Sequence, residues 1–288
     1  MCGLLYWVEM SDAPGLRFAV CCPNTGRFGN PRDAAALART AEEAGWEGFF
    51  TWDSLFFWRD GVSAVYDPWV VLSAVAAATG SIRIGTCVTV VPRYKPLTLA
   101  TTVSSLDVLS EGRMTLGVGS GFFADEFEVF GESGNPRVRG EKLDESLDVV
   151  TRLWSGDKVN HKGTHYEVAG VTVDIKPLQQ PRVPIWVGGD SPVALRRAAR
   201  WDGWIGPTDP WGKEWTPNDL ASFRESIEIE RDTDQPYDIA WADISQPDDG
   251  KKVEAYRQAG ATWWMELIDW NRGSYDEAFD RVAAGPPK

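Results

Sequence analysis

Two histidines, four cysteines, 15 tryptophans and one paired-glycine turn are the residues of this chain whose types and spacing offer chemistry beyond packing. His161 and His165 lie four apart, which on a helix would put both imidazoles on one face, but Gly163 and the β-branched flanks argue against a helix there. No carboxylate or cysteine sits at ligand spacing from them, so they read as exposed loop residues rather than metal ligands. Neither falls at a strand end, which leaves a Ser-His-Asp triad without a base. Cys2, Cys21, Cys22 and Cys87 fit neither a metal pattern nor a disulfide framework, and adjacent Cys21 and Cys22 in a strand would point to opposite faces. The run Gly188-Gly189-Asp190-Ser191-Pro192 ahead of a helix is the best anion site. Two glycines let backbone N–H groups approach a phosphate and the helix N-terminus adds a favourable dipole, although an ordinary strand-to-helix turn would use the same residues. Trp46, Trp52, Trp58 and Trp69 cluster around the second strand. Most must be packing, and one or two would suit a flat pocket for a ring cofactor.

The elements that must position these residues alternate along the chain. Short β-rich runs are expected at Arg17–Cys22, Gly48–Trp52, Ile82–Thr89, Met114–Val118, Pro184–Val187, Trp204–Gly206, Tyr237–Ala242 and Thr262–Ile268. Between them come helical patterns. One opens on Asn30-Pro31 and stops at Gly45, and others run from Asp67-Pro68 to Ala78 and over Pro96–Ser110 and Lys142–Trp154. Ser191-Pro192 starts the next, and the later ones are centred on Leu220, Phe223 and Ile227 and on Lys251–Ala259. The last opens on a Ser274/Glu277 capping box. Eight strand–helix alternations predict a parallel (β/α)8 TIM barrel. The competing doubly wound sheet would need a glycine-rich phosphate loop after the first strand, and Pro23-Asn24-Thr25-Gly26-Arg27 is not one. Asn160–Val168 reads as a hairpin insertion before the fifth strand. In a barrel the chemistry collects at the C-terminal strand ends, here Asn24, Asp53-Ser54, Cys87-Val88-Thr89, Ser120-Gly121, Gly188-Gly189-Asp190, Thr208-Asp209 and Glu266.

The 288 residues suit one such barrel over 17–288, leaving residues 1–16 as an N-terminal extension whose first nine residues read as a leader ahead of Met10. With 42 acidic against 29 basic residues the net charge is −13, the wrong sign for nucleic acid or an anionic membrane surface. The longest apolar stretch, Trp69 to Ala78, is too short to span a bilayer, and the N-terminus has neither a basic region nor a cleavage site. A cytoplasmic protein with reduced thiols is expected.

Several segments in order resemble the bacterial luciferase-like family. They are Leu106-Asp107-Val108-Leu109-Ser110, Leu116-Gly117-Val118-Gly119-Ser120-Gly121 with Glu126, Phe127 and Phe130-Gly131, Leu153-Trp154-Ser155-Gly156, and Pro184-Ile185-Trp186-Val187-Gly188-Gly189. Arg196-Arg197-Ala198-Ala199 and Asp202-Gly203-Trp204 continue the match, which covers residues 17 to about 206. The resemblance implies a (β/α)8 barrel that binds flavin mononucleotide (FMN) or the deazaflavin coenzyme F420 at its C-terminal mouth, with homodimers common. Gly188-Gly189 would be the cofactor-phosphate turn, with Val187 and Thr208 nearby. Ser120 and Gly121 would line the ring, and the Cys87–Val88 bond would be a non-prolyl cis peptide against it. Asp53-Ser54 stands where many deazaflavin members carry an Asp-His pair, so Asp53 is carried over as a cofactor contact. Ser54 cannot serve as the base unaided. Gly121-Phe122 replaces the Gly-Glu of the family's sugar-phosphate dehydrogenases, whose acid is therefore missing. Trp58 matches an aromatic beside the reacting centre, which makes Trp58 and Ser54 the catalytic candidates. The implied activity is hydride exchange between F420 and a small apolar or unsaturated substrate, with an FMN monooxygenase as the alternative. A cofactor-binding barrel without catalysis and a non-redox barrel enzyme are the readings of other classes.

Overall fold

A computed structural model describes residues 15–55, 64–207 and 213–288. Residues 1–14, and with them most of the expected N-terminal extension, lie outside the described residues, as do Trp58 and Thr208. The β-rich runs form β1 (Arg17–Cys22), β2 (Gly48–Thr51), β3 (Arg83–Thr86), β4 (Met114–Gly119), β5 (Ile185–Gly188), β6 (Gly203–Ile205), β7 (Asp238–Asp243) and β8 (Trp263–Leu267). Each pairs in parallel with the next, β8 pairs with β1, and the sheet closes into the expected eight-stranded barrel. The helices between them are α1 (Pro31–Glu43), α2 (Pro68–Ala78), α3 (Pro96–Leu109), α4 (Pro136–Ser155), α5 (Pro192–Ala198), α6 (Pro217–Glu230), α7 (Gly250–Ala259) and α8 (Tyr275–Ala283). None of the described helices is long and apolar enough to cross a membrane.

The first six helices open with proline at the start, and five of those prolines follow Asn, Asp, Ser or Thr. Asn30 accepts from the Arg32 and Asp33 N–H groups, Asp67 from Trp69 and Val70, Asn135 from Arg137, Ser191 from Ala194 and Thr216 from Asp219. Proline fixes φ where the helix has an orphan N–H anyway, and the cap satisfies the donors that follow. In a (β/α)8 barrel these helix starts lie at the C-terminal rim of the sheet, so the same local chemistry fixes the frame of the mouth.

Alternation in the strands divides the core in two. Ala19, Cys21, Phe50, Trp186, Trp263 and Met265 fill the barrel, while Val20, Cys22, Phe49 and Trp264 pack outward under the helices. Cys21 and Cys22 therefore do point to opposite faces. Phe50 stacks on Trp186 with ring centroids 5.4 Å apart. Such rings leave no room for side chains opposite them, and a Cβ at Gly85 would lie 2.5 Å from the Phe50 ring.

Three expectations are corrected. The third strand does not run unbroken from Ile82 to Thr89: β3 stops at Thr86, and Thr89–Val90 pairs separately with β4. The Val90 N–H is taken by the Asp53 carboxylate at 2.9 Å, a side-chain acceptor in place of a ladder partner. Helix α4 begins six residues before Lys142. Its first turns hold the buried Arg139, which spoils the apolar rhythm yet packs over the Phe127 ring and donates to the Gly121 carbonyl. The hairpin (Val159–Lys162 and Glu167–Val171) is present, but its histidines are not exposed. His161 Nε2 lies 2.9 Å from Glu145 Oε1 and its Nδ1 3.5 Å from Asp148 Oδ2, and His165 Nε2 lies 3.3 Å from Glu141 Oε2. Carboxylates at one helical spacing on α4 thus dock the insertion.

Candidate active site

The barrel mouth is floored by Trp52, Cys87, Val88 and Leu267, half-buried side chains packed on the inner core. The Cys87–Val88 peptide is cis. Val88 reaches sideways over the ends of β4 and β5. A Cβ at Gly119 would lie 2.7 Å from Val88 Cγ2, and one at Gly188 would lie 3.0 Å from Val88 Cγ1. Two glycines on neighbouring strands thus make room for one isopropyl group. Gly119 was not singled out as a site residue, although the Gly117-Val118-Gly119 rhythm offered the signal.

Beneath this floor the thiols are held protonated. The Cys87 thiol beside it and complete burial keep the Cys21 thiol well above its ordinary value, and burial pushes Cys22 up to about 12. Neither supplies a thiolate. Cys21, Cys22 and Cys87 are free thiols. Among the described residues no cluster of His, Cys, Asp or Glu could hold a metal.

Behind the floor a buried charge cluster ties three strand ends together. Arg93 lies 2.7 Å from Asp53 Oδ1 and 3.1 Å from Glu126 Oε2, and it also donates to the Asp53 carbonyl. Asp53 Oδ2 accepts from Val90 N at 2.9 Å and from the Tyr94 hydroxyl at 3.2 Å, and Glu126 Oε1 accepts from Leu55 N at 3.1 Å. Both carboxylate oxygens of Asp53 are thus taken by the protein, and its side chain braces the mouth from behind. Arg93 is the residue that sequence reasoning missed. Its signal, a lone arginine directly after an apolar strand, is weak.

The remaining candidates fall into place around this floor. Ser54 is held by its backbone, its N–H donating to Asn24 Oδ1 at 3.0 Å and its carbonyl accepting from Asn24 Nδ2 at 2.9 Å. Ser120 is half-buried at the end of β4. Gly121 has φ +86°, and a Cβ there would lie 2.8 Å from Val90 and 2.9 Å from Phe127, so only glycine fits. Val187 is fully buried with its side chain in the outer core, so only its backbone faces the Gly188-Gly189 turn. Gly189 has φ +115° and its carbonyl accepts from Trp204 Nε1 at 2.7 Å, which pins the turn to β6. Glu266 is not a site residue. It is fully buried on the outer face of β8, where Ser245, Trp264, Arg272 and Arg281 all donate to it.

A closed parallel barrel with an apolar floor and a double-glycine turn at its C-terminal mouth defines a (β/α)8 protein. The chain belongs to the luciferase-like monooxygenase family, whose model matches residues 16–262. It is 33% identical over 217 residues to the F420-dependent glucose-6-phosphate dehydrogenase of Amycolatopsis mediterranei (strain U-32), covering 74% of this chain and 64% of that protein. It is 34% identical over 172 residues to the F420-dependent hydroxymycolic acid dehydrogenase of Mycobacterium tuberculosis (strain ATCC 25618 / H37Rv), covering 59% and 47%. The chain thus spans between about half and two thirds of the length of these relatives. A solved F420-dependent secondary alcohol dehydrogenase, in complex with an F420-acetone adduct, superposes with a TM-score of 0.78 at 19% identity, covering 93% of this chain and 97% of that one. That likeness shows the fold.

Proposed function

We propose that the chain is an F420-dependent oxidoreductase that exchanges hydride with a small organic substrate at the barrel mouth. The observation that carries this reading is the floor itself, with Val88 laid over Gly119 and Gly188 directly beside the Gly188-Gly189 turn. Half-buried Trp52, Cys87, Val88 and Leu267 fit the face of an apolar ring system, and the positive-φ turn suits a phosphate tail. When bound, the deazaflavin supplies the hydride chemistry and the protein supplies position and exclusion of water. Cys87 and Val88 form the backstop, and Ser120 and Gly121 border it. The Asp53–Arg93–Glu126 cluster keeps the ends of β2, β3 and β4 in register. Thr208 and Trp58, outside the described residues, belong to the same proposal as a cofactor contact and a substrate-side aromatic. The relation to glucose-6-phosphate dehydrogenases does not extend to the substrate in this reading, since Ser54 and Phe122 stand where the resemblance places their base and acid. Free thiols accord with a reducing, cytoplasmic setting.

A homodimer is part of the proposal. Val70, Leu97, Val108 and Leu109 are exposed on α2 and α3. These two helices carry a single charged residue, Asp107, which is buried and accepts from Gln179. An uncharged face tolerates a second copy of a chain whose net charge is −13.

Fluorescence titration of the purified protein with F420, and separately with FMN, tests the reading. F420 is expected to bind with micromolar or tighter affinity. Gly188→Val, which forces a side chain against Val88, should weaken binding about tenfold or more, a loss of ~1.4 kcal/mol. Tighter binding of FMN would move the assignment to a flavin monooxygenase, and no binding of either would reject it.

A further inference from the structure

The inward side chains of a (β/α)8 barrel form layers of about four, contributed by alternate strands. At the N-terminal end, opposite the mouth, the lowest layer comes from the odd-numbered strands. Alternation puts Arg17 of β1, Arg83 of β3 and Asp238 of β7 on the inner face, each two residues below Ala19, Gly85 and Ala240. Pro184, two residues below the inward Trp186, takes the remaining place and has no N–H to donate. Arg17 pairs with Asp238 and lies 4.3 Å from the centroid of the Trp263 ring. Asp238 Oδ1 also accepts from the Thr262 hydroxyl and from Trp263 Nε1, both at 3.2 Å. Burial lowers the Arg83 pKa from its ordinary value, with Asp238 opposing that shift and Arg17 adding to it. The guanidinium stays charged all the same.

Arg83 is the charge in this layer without a counter-charge of its own. It donates to the Thr115 hydroxyl at 2.6 Å and to the Met114 carbonyl at 3.4 Å, and among the described residues no carboxylate forms an ion pair with it. A second donor at this level also lacks an acceptor. Trp186 is fully buried and its Nε1 has no hydrogen-bond partner. A Cβ at Gly203 would lie 2.8 Å from that nitrogen, and Gly203 is the register partner of Asp238, so the indole N–H sits at the level of the charged layer. Buried donors of this kind are costly to leave unpaired. Phe50, Trp186 and Trp263, in mutual ring contact, separate the layer from the mouth above. From below, solvent reaches it, since the Arg17 and Asp238 side chains are 36% and 26% exposed.

We infer that the N-terminal end of the barrel is an oxyanion site, where Arg83, the remaining donors of Arg17 and the Trp186 N–H hold a tetrahedral anion of the phosphate type. Two guanidinium groups against one carboxylate leave this layer with one uncompensated positive charge, which an anion neutralises. Donors that reach inward from β1, β3 and β5 approach from three sides, which suits a tetrahedral oxyanion better than a planar carboxylate. The site lies at the opposite end from the proposed cofactor mouth, so it goes beyond the oxidoreductase reading and stands without it. An anion that binds only the native state stabilises it by mass action, so the site links folding stability to phosphate concentration.

Isothermal titration of the full chain with inorganic phosphate, at an ionic strength held constant with chloride, tests the site. The unmodified protein should bind phosphate in the low-millimolar range or tighter, and its thermal unfolding midpoint should rise as phosphate is added. Arg83→Met keeps an apolar stem, removes the charge and should weaken phosphate about tenfold or more. Asp238→Asn removes the opposing charge and should tighten phosphate severalfold, a gain that a damaged fold would not produce. The double-glycine turn at the mouth is the other place where phosphate would meet backbone donors, and Gly188→Val separates the two. It should leave the phosphate affinity within about twofold. No phosphate binding to the unmodified protein, an affinity unchanged in both Arg83→Met and Asp238→Asn, or a loss of binding in Gly188→Val would overturn the inference.

Discussion

At Arg93 one guanidinium serves two carboxylates and a carbonyl contributed by residues 33 and 40 positions away. The three side chains are almost wholly buried, so the pairing is worth most as a constraint: each charge is tolerable only while the others are in place. Arg93→Met keeps the apolar stem and removes the charge, stranding Asp53 and Glu126 in the interior. A loss of ~3–5 kcal/mol in urea unfolding is expected, partly recovered when Asp53→Asn is added. A loss below about 1 kcal/mol would mean that water already reaches the cluster. The Tyr94 phenol, pushed up by burial and by Asp53 beside it, stays protonated and can keep donating to that carboxylate throughout the working pH range.

Elements are joined by caps of the same kind, and the clearest is Glu42 in the last turn of α1. Its carboxylate accepts from the Gly80, Ser81 and Ile82 N–H groups and from the Ser81 hydroxyl, at 2.6 to 3.1 Å, fixing the turn that delivers β3. Partial burial pushes the Glu42 carboxyl up, but these donors outweigh it and hold the pKa at about 2. A depressed carboxyl stabilises the fold fully above its unfolded value, near 4.5, and that contribution fades as pH falls toward about 2. The stability of the native protein against unfolding should therefore fall between pH 5 and pH 3 more steeply than that of Glu42→Gln. Parallel pH dependences of the two proteins would show that the cap contributes nothing. On the other side of the barrel, Glu145 plays a similar part for the hairpin. It accepts from Thr164, His165 and Tyr166 N–H groups as well as facing His161.

For the molecule as a whole, charge and apolar surface are partitioned. A chain with a net charge of −13 resists association with itself except where a face lacks charge, and the α2–α3 face is such a place. Sedimentation velocity should show a dimer at micromolar concentration. Val70→Glu combined with Leu109→Glu should shift it to the monomer without altering the circular dichroism spectrum. A monomer in the unmodified protein would remove the proposed interface.

The alternation of β-rich and helical runs and the cap-then-proline grammar were legible in the chain itself, because strand and helix periods and helix starts are set by residues a few positions apart. Eight such units left a barrel as the economical closure, and the ordered motifs at Gly117–Gly121 and Gly188-Gly189 pointed to its mouth. The opposite facing of Cys21 and Cys22 followed from strand geometry alone. What only closure of the barrel decided is where each side chain finds its partner. Asp53 turns to Arg93 and Val90, Val187 points outward, and Val88 occupies the space left by Gly119 and Gly188. The histidines settle on α4 because its carboxylates repeat at the spacing the hairpin presents. These pairings join residues 16 to 100 positions apart. No local pattern encodes them, since each depends on which strands become neighbours and on how much room the facing side chains leave.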